Sequence, residues 1–355
     1  IISWDHENME IIHLLPNIVE NPADRETYRY MKNWLTSKLP FVERTPQETI
    51  RTHHQDLAAS LQHILNEAML HLVTMWQKHT GQKNLCLSGG VALNCVTNAY
   101  IAERCIKETH ILSNLYIPPA AGDDGTAIGA ALLGAKALGI SPYIVPKEMP
   151  FYGSAITNTD SVLNQYPTLH TTTLSEDMLV ATIVKLLNNS AIVALAIDRM
   201  EFGPRALGNR SILASPCKYE MRERINHVTK QRESFRPFAP IVKEEELGRY
   251  FHYVEGVCYK HMIVNVQVKK EYRNRLQAVT HVDGTARVQT VSKKNQPFLW
   301  HILTEFEKYS GFPILLNTSF NLKNKPIVRT AKEAVDSLVS SDIDALVLNN
   351  TLVTK

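Results

Sequence analysis

The sequence predicts an α/β arrangement in its first half and a mixed α+β arrangement in its second. Three observations carry that expectation. Helical apolar spacing alternates with short apolar runs over 55–138, glycines stand where those runs end, and the second half holds several strand-like runs separated by a few helices. With 44% apolar and 21% charged residues among 355, the chain has the material for two or three packed domains.

In chain order, IISWDHENMEII reads as the end of a strand already under way, and with no initiating Met it reads as a chain whose upstream part is missing. From Gln55 to Trp76, Leu57, Leu61, Ile64, Leu65, Ala68, Leu72 and Trp76 recur at helical spacing, so one long amphipathic helix is expected, with Gly81 as its C-cap. NLCLSGG reads as a buried strand entering a tight glycine loop, VALNCVTNAYIAERCI as a helix, and TAIGAALLGAKAL as a further helix suited to close packing. GISPYIVPKEMPFYGS, with three prolines and two glycines, is the expected boundary between domains at 1–145 and 146–355. Beyond it, Ser175 is placed as the N-cap of EDMLVATIVKLLN. Strands are expected at AIVALAI, HMIVNVQV and PILLNTSF, a capping box at TAKE, and a closing strand pair in DALVLNNTLVT.

A formal net charge of +3 with no basic runs argues against a nucleic-acid partner and leaves room for small anions bound by a few arginines. Cys86, Cys95, Cys105, Cys217 and Cys258 are odd in number and form no C-x-x-C pair, which fits a reducing cytoplasm better than a disulfide framework or a thiolate zinc site. No apolar run approaches the roughly 20 residues of a membrane span, so no membrane partner is expected.

Three segments carry candidate chemistry. In LSGGVALNCVTN, Ser88, Gly89, Gly90, Asn94 and Asn98 lie where a strand turns into a helix, so backbone N–H groups could approach an anion; a plain tight turn explains the same residues. In PPAAGDDGTAIGAAL, Asp123 and Asp124 open a helix, either as caps or, for Asp123, facing a metal or nucleotide. The histidines His53, His54, His63, His71 and His79 contain no H-x-x-x-H pair and are assigned to packing or surface. The third segment set is distributed. MEFGPRALGNRSILASP supplies Arg205 and Arg210 with Glu201 as the one acid nearby, HVTKQRESFRPFAP supplies Lys230, Arg232 and Arg236, and HVDGTARVQTV supplies Arg287. LLNTSFN ends an apolar run with Asn317, Thr318, Ser319 and Asn321. Guanidiniums grip phosphate or carbamoyl oxygens bidentately, Lys230 would act as a point charge, and short polar side chains suit the remaining oxygens.

With DLAASLQ and these motifs in order from Asp56 to Asn321, the sequence resembles the NodU/CmcH family of O-carbamoyltransferases. The resemblance implies the C-terminal part of an ASKHA (actin-like ATPase) domain followed by a YrdC-like domain. It implies that the second domain joins carbamoyl phosphate and ATP, with Mg2+, into carbamoyladenylate, and that the first transfers the carbamoyl group to a hydroxyl of a small-molecule acceptor with a divalent metal, Fe2+. Carried over by motif, Arg205, Lys230, Arg236, Arg287 and Ser319 are the expected catalytic contacts to carbamoyl phosphate and ATP, with Asn317 and Thr318 beside them. Gly89, Gly90 and Asn94 are the expected nucleotide loop of the transfer site, and Asp123 is its expected metal ligand. The family's metal site also draws on an H-x-x-x-H pair that nothing in this sequence supplies, so the N-terminal half of the first domain reads as absent. A tRNA threonylcarbamoyl-forming protein, an ASKHA sugar kinase and a non-catalytic nucleotide-binding module are the alternatives. Neither the acceptor, expected to be selected by 21–49 or a missing segment, nor an oligomeric state can be read from the residues.

Overall fold

A computed structural model describes residues 2–5, 10–13, 33, 36–38, 44–45, 48–140, 149–227 and 236–355. The chain divides into two compact units, Ile1–Gly81 and Gln82–Lys355. In the first, β1 (Ile2–Asp5) pairs antiparallel with β2 (Glu10–His13), Ile2 opposite His13. The opening residues therefore form a strand pair of their own where the end of a single strand was expected. Helix α1 (Thr52–Thr80) extends the expected helix at both ends. His54 Nδ1 accepts from the Arg51 amide at 3.0 Å in the first turn, and Gly81, at φ +67°, donates its amide to Gln77 O at 2.8 Å in the last. Of the apolar stripe, Leu57, Leu61, Ile64 and Trp76 stay exposed. The acceptor-selecting stretch expected at 21–49 lies almost wholly outside the described residues.

The second unit begins with a parallel β-α-β turn. β3 (Asn84–Cys86) pairs with β4 (Asn114–Tyr116), and between them a 3-10 turn at Gly90–Leu93 leads into α2 (Cys95–Ile101), continued by a wider π-type segment to Glu108. The single helix expected over 91–106 is thus built from three windings. Helix α3 (Thr126–Ala137) follows the second glycine loop.

Among the described residues, eight strands then make one mixed sheet. These are β5 (His170–Thr173), β6 (Val193–Ala196), β7 (Arg210–Ala214), β8 (Ala239–Lys243), β12 (Gln289–Val291), β13 (Ile314–Ser319), β14 (Ala345–Leu348) and β15 (Thr351–Thr354). Their order is β12-β8-β13-β7-β6-β14-β15-β5, with β12 parallel to β8, β6 parallel to β14 and the other neighbours antiparallel. β6, β7, β8 and β14 are buried at every position, so both faces of the sheet centre are covered; β6 and β14 are continuous apolar runs where a half-exposed strand would alternate, while β7 opens with the buried Arg210 and Ser211 and β8 ends in Lys243. α4 (Glu176–Asn188) and α6 (Pro297–Ser310) pack on each other and on β6, β8 and β13, while α7 (Ala331–Val339) packs on β14. Between these lies α5 (Tyr219–Ile225). A smaller antiparallel sheet orders β11 (Thr285–Ala286), β10 (Val266–Val268) and β9 (Phe251–His252). HMIVNVQV, expected as a full strand, contributes to it only its last three residues.

The expected capping box is present at the start of α7: Thr330 Oγ accepts from the Glu333 amide at 3.2 Å and Glu333 Oε2 accepts from the Thr330 amide at 3.0 Å. Ser175 occupies the N-cap position of α4 in extended geometry, with no side-chain capping bond. Of the boundary expected at 139–154, residues 141–148 lie outside the described residues. The segments either side belong to one unit. Leu115 on β4 bridges to Val257 and donates its amide to Gly256 O at 2.9 Å. Gly256 sits at φ +78°, and a Cβ there would fall 2.1 Å from Ser113 O, so only glycine permits the approach.

Candidate functional site

Three glycine loops, separated by up to about 120 positions in the sequence, meet in the second unit. The Gly89 amide donates to Ala121 O at 2.6 Å and Ser88 Oγ to the same carbonyl at 3.2 Å, tying the first loop to the second. The loop of 201–209 closes on the same place: Gly203, at φ +128°, lies so near Pro119 that a Cβ on it would be 2.6 Å from Pro119 O. A Cβ on Gly89 or Gly90, by contrast, would meet no atom within 4 Å, so open space lies beside the first loop.

Asn94 caps α2, its Oδ1 accepting from the amides of Val96 at 3.1 Å and Thr97 at 3.0 Å. Asn98 is buried and its Nδ2 donates to Ala92 O and Ile263 O, both at 2.7 Å. Asp123 is exposed, and its carbonyl accepts from Thr126 Oγ at 2.6 Å. No group of three or more His, Cys, Asp or Glu side chains able to hold a metal ion occurs among the described residues. Asp123 by itself does not make up the family's metal site among the described residues.

The two arginines of 200–216 have opposite fates. Arg210 is fully buried and spent on the backbone: Nη1 donates to Ile197 O at 2.6 Å and Asn209 O at 2.9 Å, Nη2 to Ser154 O at 3.0 Å and Asp198 O at 3.1 Å. Burial lowers its pKa, and Glu201 and Asp198 oppose that. It is a strut, which corrects its inclusion among the ligand arginines. Glu201 is also buried, and its Oε1 accepts from the amides of Leu207 at 2.7 Å, Asn209 at 2.8 Å and Arg210 at 3.2 Å. One carboxylate thus shapes the turn that presents Arg205. Arg205 itself is half-buried, its Nε is shut off from solvent with no hydrogen-bond partner, and burial lowers its pKa, with the Cys95 thiol acting the other way. A guanidinium held in this way is a donor waiting for an acceptor.

The end of β13 forms the adjoining wall. Asn317 is buried, its Nδ2 donating to Gln289 Oε1 at 2.8 Å and Ala206 O at 3.3 Å, while its Oδ1 has no partner. Gln289 on β12 and Gln296 both donate to Leu207 O, at 2.8 and 2.5 Å. These carboxamides lock the loop after Arg205 onto the sheet. Thr318 and Ser319 are half-buried, and Ser319 Oγ donates to Asn321 Oδ1 at 2.6 Å. Arg287 is half-buried two residues before Gln289. Arg236 is exposed; its neighbour Phe238 is buried, whereas Phe235, Lys230 and Arg232 lie outside the described residues. All five cysteines are free.

Sequence reasoning passed over four residues here. Glu201 was seen only as a charge and Gln289, His281 and Arg222 not at all, although Arg222 and Arg287 both stand close enough to His281 for their charges to act on its imidazole. Gln289 could have been found from its spacing to Arg287, since residues two apart in an extended run share a face. Among the described residues no helix is long and apolar enough to cross a membrane.

Comparison with known proteins yields two family models, carbamoyltransferase N-terminus over residues 6–132 and carbamoyltransferase C-terminus over 184–355. Nodulation protein NolO of Bradyrhizobium diazoefficiens is 40% identical over 309 residues, covering 85% of this chain and 55% of that protein. Nodulation protein NolNO of Sinorhizobium fredii is 38% identical, covering 85% and 44%, and nodulation protein U of Rhizobium tropici is 34% identical, covering 88% and 50%. The chain therefore spans about half the length of these relatives. Among solved structures, full-length HypF in a phosphate- and nucleotide-bound form aligns with a TM-score of 0.34 and 18% identity over 48% of this chain and 25% of that one.

Proposed function

The chain belongs to the carbamoyltransferase family, and from that premise we propose that it carries the activating half of an ATP-dependent O-carbamoyl transfer. Carbamoyl phosphate, with water, releases phosphate and leaves carbamate; a carbamate oxygen attacks the α-phosphate of ATP, pyrophosphate leaves, and carbamoyladenylate remains. A hydroxyl of a small acceptor then attacks the carbamoyl carbon and AMP leaves. The observation that carries this reading is Arg205, whose buried Nε has no partner at the place where three glycine loops converge.

Bringing a carbamate to a triphosphate sets anion against anion, so fixed cations must offset the repulsion. Arg205, Arg287 and, by motif, Lys230 and Arg236 are the groups assigned to that task. Thr318 and Ser319, the half-buried last residues of β13, offer short hydroxyls, Ser319 by turning its proton from Asn321 to the ligand, and Mg2+ would accompany the nucleotide phosphates. The open space beside Gly89 and Gly90 suits a nucleotide approaching the backbone amides of the first loop. For the sugar-kinase alternative the product would be ADP.

The test is pyrophosphate release from ATP and Mg2+ with carbamoyl phosphate and no acceptor. Wild-type chain is expected to release pyrophosphate only when carbamoyl phosphate is present, and Arg205→Ala to reduce the rate by roughly two to three orders of magnitude. ADP in place of pyrophosphate, or an Arg205→Ala rate equal to wild type, would refute the reading.

A further inference from the structure

We propose that His281 accepts, through Nε2, a hydrogen bond from the amino group of the carbamoyl donor, and that this bond selects a carbamoyl phosphate over acyl phosphates of the same shape. The inference rests on the activation reading above and names how its donor is recognised.

The imidazole proton of His281 sits where its neighbours direct it. Asp283 Oδ1 accepts from the Thr285 amide at 2.9 Å and from Thr285 Oγ at 2.7 Å. The single hydroxyl proton of Thr285 therefore points at the carboxylate, and the oxygen is left as an acceptor for His281 Nδ1, 2.9 Å away. The relay Asp283–Thr285–His281 places the proton on Nδ1 and leaves a lone pair on Nε2. The turn that carries it is closed at both ends: the His281 amide donates to Thr285 O at 2.8 Å and the Gly284 amide to His281 O at 2.9 Å.

Nε2 is shut off from solvent and has no hydrogen-bond partner. A buried acceptor left unmatched in an otherwise satisfied turn calls for a ligand that supplies the missing N–H. Its surroundings exclude the other protonation state. Burial, chiefly, and then the charges of Arg287 and Arg222 push the imidazole down to about 4, against an opposing pull from Asp283, so the ring is neutral near pH 7.

The chemistry of the donor completes the match. Guanidiniums only donate, so Arg287 and Arg222 can hold phosphate and carbonyl oxygens but can do nothing for an amino group. Carbamoyl phosphate differs from acetyl phosphate in having NH2 where the other has CH3. A neutral acceptor set among cationic donors reads that difference, because a methyl group would leave Nε2 unmatched. Arg222 is buried on α5, and the Ala278 amide, three residues before His281, donates to Pro216 O at 3.1 Å, which holds the two segments together.

Calorimetric titration of the full chain with carbamoyl phosphate and, separately, with acetyl phosphate tests this. Wild type is expected to bind carbamoyl phosphate roughly tenfold more tightly, the size of one neutral hydrogen bond. His281→Phe should bring the two affinities together while leaving that for acetyl phosphate nearly unchanged. His281→Gln, which can place a carboxamide oxygen near the Nε2 position, should restore part of the preference. A folded His281→Phe that keeps the wild-type ratio overturns the inference and leaves the activation reading intact, provided Arg205→Ala weakens both ligands. Failure of wild type to bind either ligand overturns both. Ring-nitrogen NMR of the wild-type chain is independent of any variant: a proton on Nδ1 and a free Nε2 that responds to carbamoyl phosphate but not to acetyl phosphate is expected, and a proton on Nε2 refutes the proposal.

Discussion

Arg205 and Arg210 stand five positions apart in one motif and do different work: both leave a buried Nε without a partner, but the terminal nitrogens of Arg210 donate to four carbonyls, whereas among the described residues no such carbonyl set holds those of Arg205. Arg210→Ala will strand those carbonyls in the interior and lower stability by on the order of 3 kcal/mol in urea unfolding. Arg205→Ala will change stability by less than about 1 kcal/mol while cutting pyrophosphate release by roughly two to three orders of magnitude. His281 adds a pH signature. Its pKa is near 4 folded, against 6.5 ordinarily, so between those values the unfolded chain takes up a proton that the folded chain refuses. Stability will fall as pH drops from about 6.5 through about 4, and His281→Phe will flatten that part of the curve in thermal melts. Asp283 opposes the shift while Arg287 and Arg222 reinforce it, so removal of either arginine will narrow the window. None of this was legible in the motif alone, since a sequence shows which arginines are present but not which carbonyls reach them.

The glycine loops illustrate the intermediate scale. That LSGG and PPAAGDDG each join a strand to a helix was readable from apolar runs ending in glycine, and both helices are present. The contact of a third loop with them was not readable. Gly203 is required there both by its φ of +128° and by the backbone of Pro119 2.6 Å from where a Cβ would stand. Gly203→Ala will displace one loop from the other, lowering stability by about 2–4 kcal/mol and pyrophosphate release with it. A Gly203→Ala chain that melts and turns over like wild type would show that the loop contact is dispensable. The helix expected over 91–106 was right in place and wrong in winding. Asn94 halts the first turn by accepting from two amides, a capping choice that apolar spacing cannot reveal.

Across the whole molecule, the described part of 82–140 and the eight-stranded sheet share one core, in which Ala92, Ala102, Leu115 and Ile117 pack with the sheet's residues. Asn98 ties 82–140 to the segment before β10 through Ile263 O while also holding Ala92 O, so Asn98→Leu will lower the stability of the whole 82–355 unit by about 2 kcal/mol as a single transition. An early, separate transition of the first region would contradict this. What the sequence by itself determined was the alternation of helix and strand, the Gly81 stop, the Thr330 capping box and the order of motifs that marks the family, because each depends on neighbours within a few residues. Only the tertiary structure decided that Glu201 shapes the Arg205 turn, that Gln289 and Asn317 lock it to the sheet, and that His281 keeps a lone pair beside Arg287. The Gln289 and Asn317 locks depend on groups about 30 to 110 positions apart, the Glu201 turn on a buried carboxylate meeting amides six to nine positions on, and the His281 lone pair on a proton's choice of nitrogen; desolvation and hydrogen-bond geometry settle all three only once the chain has folded.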